Sequence, residues 1–246
     1  MSLIPRKTIV AFANNRFVQL LWFNPLFNYH QHCLLKFVKT EAKKIPAGAS
    51  IIDLGAGELR YKQYFQHCRY VSQDLGIGDN EWDFDNIEIK SSIYDVPVKK
   101  DSFDYVLCTQ VLEHLEYPDL AFKEFHRILK KNGKLILTVP LGFGEHQAPY
   151  DFFRYTRYSL KNLGERHGFR LTYISPHGGI FINLDFMFRS ALWKLIPFKK
   201  YQLVKYFWFV LLSPLTLLLG AVSLFLDFFD REKEYTLNYN CVYVKK

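Results

Sequence analysis

Cysteine is scarce, with four in 246 residues, at Cys33, Cys68, Cys108 and Cys241. They form no Cys-x-x-Cys pair and stand with no histidine at zinc spacing. A disulfide framework is therefore excluded and no metal site is expected; the thiols read as the reduced cysteines of a cytoplasmic protein. No internal repeat or low-complexity tract is present, which excludes a solenoid or a disordered array. A cleavable secretory signal is not expected either. Residues 17–27 (FVQLLWFNPLF) are apolar after a basic start, but Asn24-Pro25 interrupts them and no small-residue cleavage site follows.

What the chain does have is apolar bulk: 49% hydrophobic and 17% aromatic residues, enough for one well-packed domain with an appendage. The net charge of +8 is uneven. Residues 1–46 carry seven Lys/Arg against one acid and residues 176–233 carry seven against four, while the remainder is close to neutral. Two basic, aromatic-rich pieces flanking a neutral core suit an anionic surface, either membrane headgroups or nucleic acid, or serve as ordinary solubility charge.

Residues 1–46 have helical periodicity with a break at Asn24-Pro25. From residue 50, short apolar runs alternate with helical stretches. Strands are expected at Ser50–Leu54, Arg69–Asp74, Asn86–Lys90, Phe103–Cys108, Lys134–Val139 and Phe169–Ser175. Helices are expected over Glu58–Gln66, Asp119–Lys131 (stopped by Asn132-Gly133) and Tyr158–His167. This alternation predicts a Rossmann-like, doubly wound α/β fold. Its sheet is mostly parallel, and Leu237–Val244 (LNYNCVYV) closes it as an antiparallel last strand. The expected parts are an N-terminal helical segment (1–46), the α/β core (47–175 and 234–246) and an apolar helical insert (176–233).

The sharpest local signal is Ile51-Ile52-Asp53-Leu54-Gly55-Ala56-Gly57, a buried strand running into a Gly-x-Gly turn that opens a helix. Glycines let backbone amides approach a ligand, and a helix start favours a negative group. The third glycine of the dinucleotide pattern would fall at position 60, which is Arg60. Asp74, 17 residues beyond Gly57, ends the second strand, where a carboxylate can accept hydrogen bonds from both ribose hydroxyls of an adenosyl group. The bland alternative is a structural turn beside a solvated acid.

Four ordered motifs then agree: Ser92-Ile93-Tyr94-Asp95-Val96-Pro97, Asp101-Ser102-Phe103-Asp104-Tyr105-Val106, Gln110-Val111-Leu112-Glu113-His114-Leu115 and the run Arg127–Leu135. Over residues 48–175 the chain resembles the type-11 group of class I S-adenosylmethionine-dependent methyltransferases, which includes quinone-biosynthesis and surface-glycan-cluster enzymes. The resemblance implies that Asp53, Gly55, Ala56 and Gly57 hold the methionine end of S-adenosyl-L-methionine and that Asp74 takes the ribose. It implies further that Ser92 and Ile93 flank the adenine and that Thr109 and Gln110 line the cofactor near the reacting methyl. Two positions depart from the pattern: Ser92 stands where the family usually has an acid, and Leu59 where it often has a glycine.

Methyl transfer asks little of side chains, because alignment of nucleophile and methyl supplies most of the acceleration and a base is needed only where the acceptor must lose a proton. Base candidates follow two strand ends, where open α/β sheets bind ligands. His114 is one, or else a packed helix-start residue. His146 and Asp151, in the run Glu145–Tyr155, are the others, in an acceptor lid or in a loop tied by a salt bridge to Arg154.

Residues 206–226 hold twenty-one positions without a charge, long enough to span a bilayer. Five basic residues precede the run (Arg189, Lys194, Lys199, Lys200, Lys205), and acids follow at Asp227, Asp230, Glu232 and Glu234. A single crossing would strip the last strand from the sheet. The expectation is an interfacial or re-entrant hairpin bent at Ser213-Pro214 on the inner membrane face, against a soluble cap or dimer interface as the alternative. The expected function is methyl transfer to a small or lipid-linked acceptor at the cytoplasmic membrane face. The rivals are a soluble RNA methyltransferase, disfavoured because the basic flanks are full of Leu and Phe, and a non-catalytic methyltransferase-like membrane scaffold. Nothing in the sequence fixes an oligomeric state.

Overall fold

The structure, a computed structural model, describes residues 24–78, 82–197 and 201–246. The helices expected before Asn24 lie outside the described residues. The chain divides into two compact units: Lys36–Ser175 with Asn238–Lys246, and the described residues up to Leu35 with Pro176–Leu237.

The first unit is built on a seven-stranded sheet: β1 (Ser50–Leu54), β2 (Arg69–Asp74), β3 (Ile89–Lys90), β4 (Phe103–Thr109), β5 (Leu129–Pro140), β6 (Phe169–Pro176) and β7 (Asn238–Lys245), in the order β3-β2-β1-β4-β5-β7-β6. The β3-β2-β1-β4-β5 pairings are parallel, and β7 runs antiparallel to β5, pairing Lys134 with Val244 and Pro140 with Asn238. The architecture is the Rossmann-like α/β sheet with an antiparallel last strand. β1 is buried at all five positions, as a strand covered on both faces must be. Because β1, β2, β4 and β5 run parallel, their carboxyl ends share one edge. Asp53, Asp74, Thr109 and Pro140 all stand there.

Helix α2 (Pro118–Ile128) starts with proline at its first turn and buries Ala121, Phe122, Phe125 and Ile128 at helical spacing. It ends three residues before the expected stop at Lys131, because Leu129 pairs with Phe103 and is already in β5. Asn132 (φ 63°) and Gly133 therefore form an irregularity inside β5, where the β4–β5 register shifts, and are not a helix cap. Helix α3 (Arg157–Arg166) is capped by Thr156, whose Oγ1 accepts from the Ser159 amide at 3.2 Å. Phe122, Phe169 and Tyr243 meet edge to face beneath it. A Cβ on Gly164 would stand 2.5 Å from the Tyr243 ring, so that close approach requires glycine.

The helix expected over Glu58–Gln66 does not form; turns and one 3-10 turn at Lys62–Tyr64 replace it. Gly55, Gly57 and Leu59 all take positive φ (72°, 53° and 57°). Left-handed Leu59 interrupts the expected helix at its second position, and the stretch that remains, 60–66, is about two turns, too short to be stable as an α-helix by itself. The third strand is likewise shorter than the expected Asn86–Lys90.

The second unit contains the start of α1 (Pro25–Ala42), α4 (Ile180–Leu195) and α5 (Gln202–Asp227). Helix α1 begins at Pro25, where the break was expected. Asn24 Oδ1 caps the helix start, accepting from the Leu26 amide at 2.9 Å, and a kink comes at Asn28, whose Oδ1 accepts from Gln31 N–H. α5 passes through Pro214 unbroken, where a bend was expected. Proline removes the donor for the Val210 carbonyl, and the Ser213 hydroxyl replaces it at 2.9 Å. No hairpin turn lies inside α5, which is continuous from Gln202 to Asp227. Two of the acids that follow the apolar run cap the start of α4: Asp227, the last residue of α5, accepts from Gly179 N–H at 2.8 Å, and Asp230 accepts from Ile180 N–H at 2.8 Å. Within Phe207–Asp227 an 18-residue window has a mean hydropathy of 2.3, yet only 6% of that window is buried. Phe207, Val210, Leu218 and Phe225 are each more than 60% exposed.

Candidate functional site

At the shared carboxyl edge, β1 delivers Asp53 almost fully buried. Its Oδ2 accepts from the Tyr70 hydroxyl at 2.6 Å, and its Oδ1 has no hydrogen-bond partner among the described residues. Burial pushes the Asp53 carboxyl up to about 7, against the opposing hydrogen bond from Tyr70 and with a smaller push from Asp74. The turn after β1 is tied to β2, with Gly55 and Ala56 N–H both donating to the Gln73 carbonyl at 2.9 and 3.0 Å. Gly57 N–H donates to Asp74 Oδ2 at 2.9 Å, and Asp74 Oδ1 accepts from Gly76 N–H at 2.7 Å. The glycine turn and the second-strand acid, 17 residues apart in sequence, are therefore in direct contact. A Cβ on Gly55 would stand 2.4 Å from the Val111 side chain, and one on Gly57 would stand 3.3 Å from the Trp82 indole. Leu59 keeps the left-handed backbone that favours glycine, so the departure is one of side chain and not of loop shape.

β3 is followed by Ser92, whose Oγ accepts from the Tyr94 amide at 3.2 Å, and by buried Ile93. Ser91 N–H donates to the Asp74 carbonyl, placing this turn beside the acid. Thr109 ends β4 half-buried, opposite Thr138. Gln110 is left-handed (φ 55°), and its side-chain amide donates to Thr138 Oγ1 at 3.1 Å and Asn238 Oδ1 at 2.8 Å. It fastens the ends of β5 and β7.

Beyond β4 the sequence candidates His114 and His146 come together, with ring centroids 4.8 Å apart. Between them lies Glu113, which sequence reasoning passed over. It is fully buried, with neither carboxylate oxygen hydrogen-bonded among the described residues, and burial pushes it up to about 8. His114 Nε2 lies 3.7 Å and His146 Nε2 4.0 Å from Glu113 Oε1. Each ring's other nitrogen faces a carbonyl: His114 Nδ1 the Tyr150 oxygen at 2.6 Å, His146 Nδ1 the Gly144 oxygen at 3.2 Å. Burial lowers both histidines from the ordinary imidazole value, which favours their neutral forms. Asp151 is not free to act as a base. Arg154 grips both its oxygens at 2.6 and 2.7 Å, and the His146 amide donates to it at 2.8 Å. Burial alone would raise the Asp151 carboxyl, but these bonds hold it at about 2. Asp151 thus orients the His146 loop.

Residues 52–137 match the methyltransferase-domain family of type 11. An uncharacterised protein of Methanocaldococcus jannaschii is 48% identical over 52 residues, a stretch covering 21% of this chain and 23% of that protein. Phosphoethanolamine N-methyltransferase 2 of Haemonchus contortus, solved with S-adenosyl-L-methionine, superposes with a TM-score of 0.53 at 14% identity, over 96% of this chain and 59% of that one. The 1,6-didemethyltoxoflavin-N1-methyltransferase of Burkholderia thailandensis, solved with 1,6-didemethyltoxoflavin and S-adenosylhomocysteine, gives 0.51 at 14% identity, over 100% and 92%. At such identities the likeness to solved structures is one of fold.

Proposed function

From the premise that residues 52–137 form a class I S-adenosylmethionine-dependent methyltransferase domain of the type-11 group, we propose that this chain methylates a small or lipid-linked acceptor at the cytoplasmic face of a membrane. One observation carries the cofactor assignment: the 2.9 Å bond from Gly57 N–H to Asp74 Oδ2 puts turn and acid within reach of one ligand. The residues present fit that ligand. Asp53 Oδ1 is a buried acceptor without a partner, suited to the ammonium of a methionine group. Asp74 gives one lone pair of each oxygen to a backbone amide and keeps acceptor positions for ribose hydroxyls. Ser92 and Ile93 stand on the adenine side, and Thr109 and the Gln110 backbone at the reacting end. S-adenosylmethionine supplies an electrophilic methyl when bound, and the chain supplies alignment. His114 and His146 bound the acceptor side, and Asp151 holds the His146 loop. Calorimetry of the full chain with S-adenosylmethionine tests the reading; the expected result is saturable one-to-one binding, and its absence removes the enzyme.

Ser92 offers a quantitative check. Its Oγ accepts one backbone amide, a task that an aspartate oxygen also performs, leaving the second oxygen for the adenine amino group. Ser92→Asp is expected to tighten cofactor binding by about 5-fold, the difference between a neutral and a charge-assisted hydrogen bond. Unchanged or weaker binding would place the adenine elsewhere.

Membrane contact is supported by the exposed apolar face of α5. At 16 residues α4 measures about 24 Å, short of a ~30 Å hydrocarbon core, so the pair suits a re-entrant or interfacial helical hairpin better than two full crossings. In a flotation gradient with vesicles containing anionic lipid, most of the full chain is expected to rise with the lipid at physiological salt. Chain that stays at the bottom as a monomer, without detergent, defeats the membrane reading.

A further inference from the structure

Glu113, His114 and His146 form a group whose ligand atoms all lie within 4.8 Å of one another. Three features separate it from a chance meeting of polar side chains. Glu113 is wholly buried with both oxygens lacking hydrogen-bond partners, an arrangement too unfavourable to leave uncompensated. His114 Nδ1 faces the Tyr150 carbonyl at 2.6 Å, which favours the proton there and leaves the Nε2 lone pair available; His146 Nδ1 faces two acceptors, the Gly144 carbonyl at 3.2 Å and Asp151 Oδ2 at 3.4 Å, which favour the same tautomer over the longer 3.5 Å approach of Arg154 Nη2. Both Nε2 atoms approach the same Glu113 oxygen, at 3.7 and 4.0 Å. A tetrahedral ion with bonds of about 2.1 Å needs donors about 3.4 Å apart, a distance that small side-chain rotations supply.

We propose that Glu113, His114 and His146 bind a divalent first-row transition-metal ion through one carboxylate oxygen and two imidazole Nε2 atoms. Two imidazoles with one carboxylate suit zinc or its neighbours and not magnesium or calcium, which take oxygen ligands. Three protein donors leave a coordination position open to water or to an oxygen of the acceptor, whose proton a dication would make easier to lose. Asp151, held by Arg154 and bonded to the His146 amide, is a positioning residue for the third ligand. The inference goes beyond the methyltransferase reading and does not need it, since metal binding is measured without cofactor or acceptor.

The test titrates Zn(II) into the full chain, freed of metal by a chelator, against a chromophoric competitor. One equivalent is expected to bind. Glu113→Gln and His146→Ala are each expected to weaken it by more than about 100-fold, beyond the 10–100-fold usual for outer-shell changes. Cys68→Ser, which lies outside the group, leaves binding unchanged. Because a buried substitution can unfold the chain, Co(II) in the unaltered protein provides a second reading. A spectrum of nitrogen and oxygen ligation supports the site, and a thiolate-to-cobalt charge-transfer band overturns it. No bound equivalent, or equal binding in both folded variants, overturns it as well.

Discussion

Asp74→Ala is expected to abolish saturable S-adenosylmethionine binding and to lower stability by about 3–5 kcal/mol. The two effects share one cause. The Asp74 carboxylate accepts from Gly57 N–H at 2.9 Å and from Gly76 N–H at 2.7 Å, and it is 7% exposed. Hydrogen bonds to a charged group are worth about 1.5–3 kcal/mol each, and removing the acceptor leaves the buried Gly57 amide unsatisfied. The Gly57 end of the turn then loses its anchor to β2, while Gly55 and Ala56 stay tied through the Gln73 carbonyl. At about 2–4 °C per kcal/mol for a chain of this size, the melting midpoint should fall by roughly 10 °C. Asp74→Asn separates the effects. Its one carbonyl oxygen can keep one of the two amides, while its NH2 group faces the other donor. Stability should therefore fall less, and the two-point ribose contact should still be lost. Calorimetry alongside thermal melts reads both. An Asp74→Ala chain that is folded and binds the cofactor within threefold of the unaltered chain removes Asp74 from the ribose.

The parts legible in the sequence are those that a strand or a turn states locally. Ser50–Leu54 is apolar apart from Ser50 and Asp53, and it is an interior strand of the sheet; the alternating Leu237–Val244 run gives β7. The glycine turn and the strand-ending acid were each legible as local signals, whereas the direct bond from Gly57 N–H to Asp74 was not. Most of what escaped depended on contacts far away in the chain. Leu129 belongs to β5 because Phe103 pairs with it, a fact absent from the helical pattern around it. Pro214 looked like a bend, but Ser213 supplies the hydrogen bond that the proline removes. Glu113 was read as a neighbour of His114, and its meeting with His146, 33 positions on, depends on the loop after β5 folding back over the end of β4. One signal was present: a lone acid between Leu112 and Leu115 in an apolar strand exit is a candidate for burial. Asp227 and Asp230, legible in the sequence only as acids that follow the apolar run, cap α4.

Cofactor affinity is expected to rise with pH, by up to about tenfold per unit below pH 7, and to flatten above it. The reason lies in Asp53. Its ordinary carboxylate value near 3.8 is raised to about 7 in the folded chain because burial disfavours the charged form. A carboxyl raised on folding holds its proton longer in the folded state than in the unfolded one. By itself this group therefore makes stability fall as pH rises from about 4 to about 7, with no further change above. A ligand ammonium at Oδ1 inverts that preference by favouring the carboxylate. Below pH 7, binding must release the proton, and each unit of pH then changes affinity by as much as 1.4 kcal/mol, or tenfold. Asp53→Asn should remove the slope and leave weak, pH-independent binding. Tyr70→Phe gives the sharper discrimination: the Tyr70 hydroxyl donates to Oδ2 at 2.6 Å and favours the ionised form, so its loss should move the inflection upward while leaving Oδ1 in place. Calorimetric titrations between pH 5.5 and 7.5 read all three chains. A flat profile in the unaltered chain would mean that the buried oxygen at the end of β1 does not meet the cofactor's ammonium, even if the ribose contact at Asp74 stands. An inflection that moves up in Tyr70→Phe and vanishes in Asp53→Asn ties it to this one carboxyl, because the two substitutions act on different oxygens of the same group.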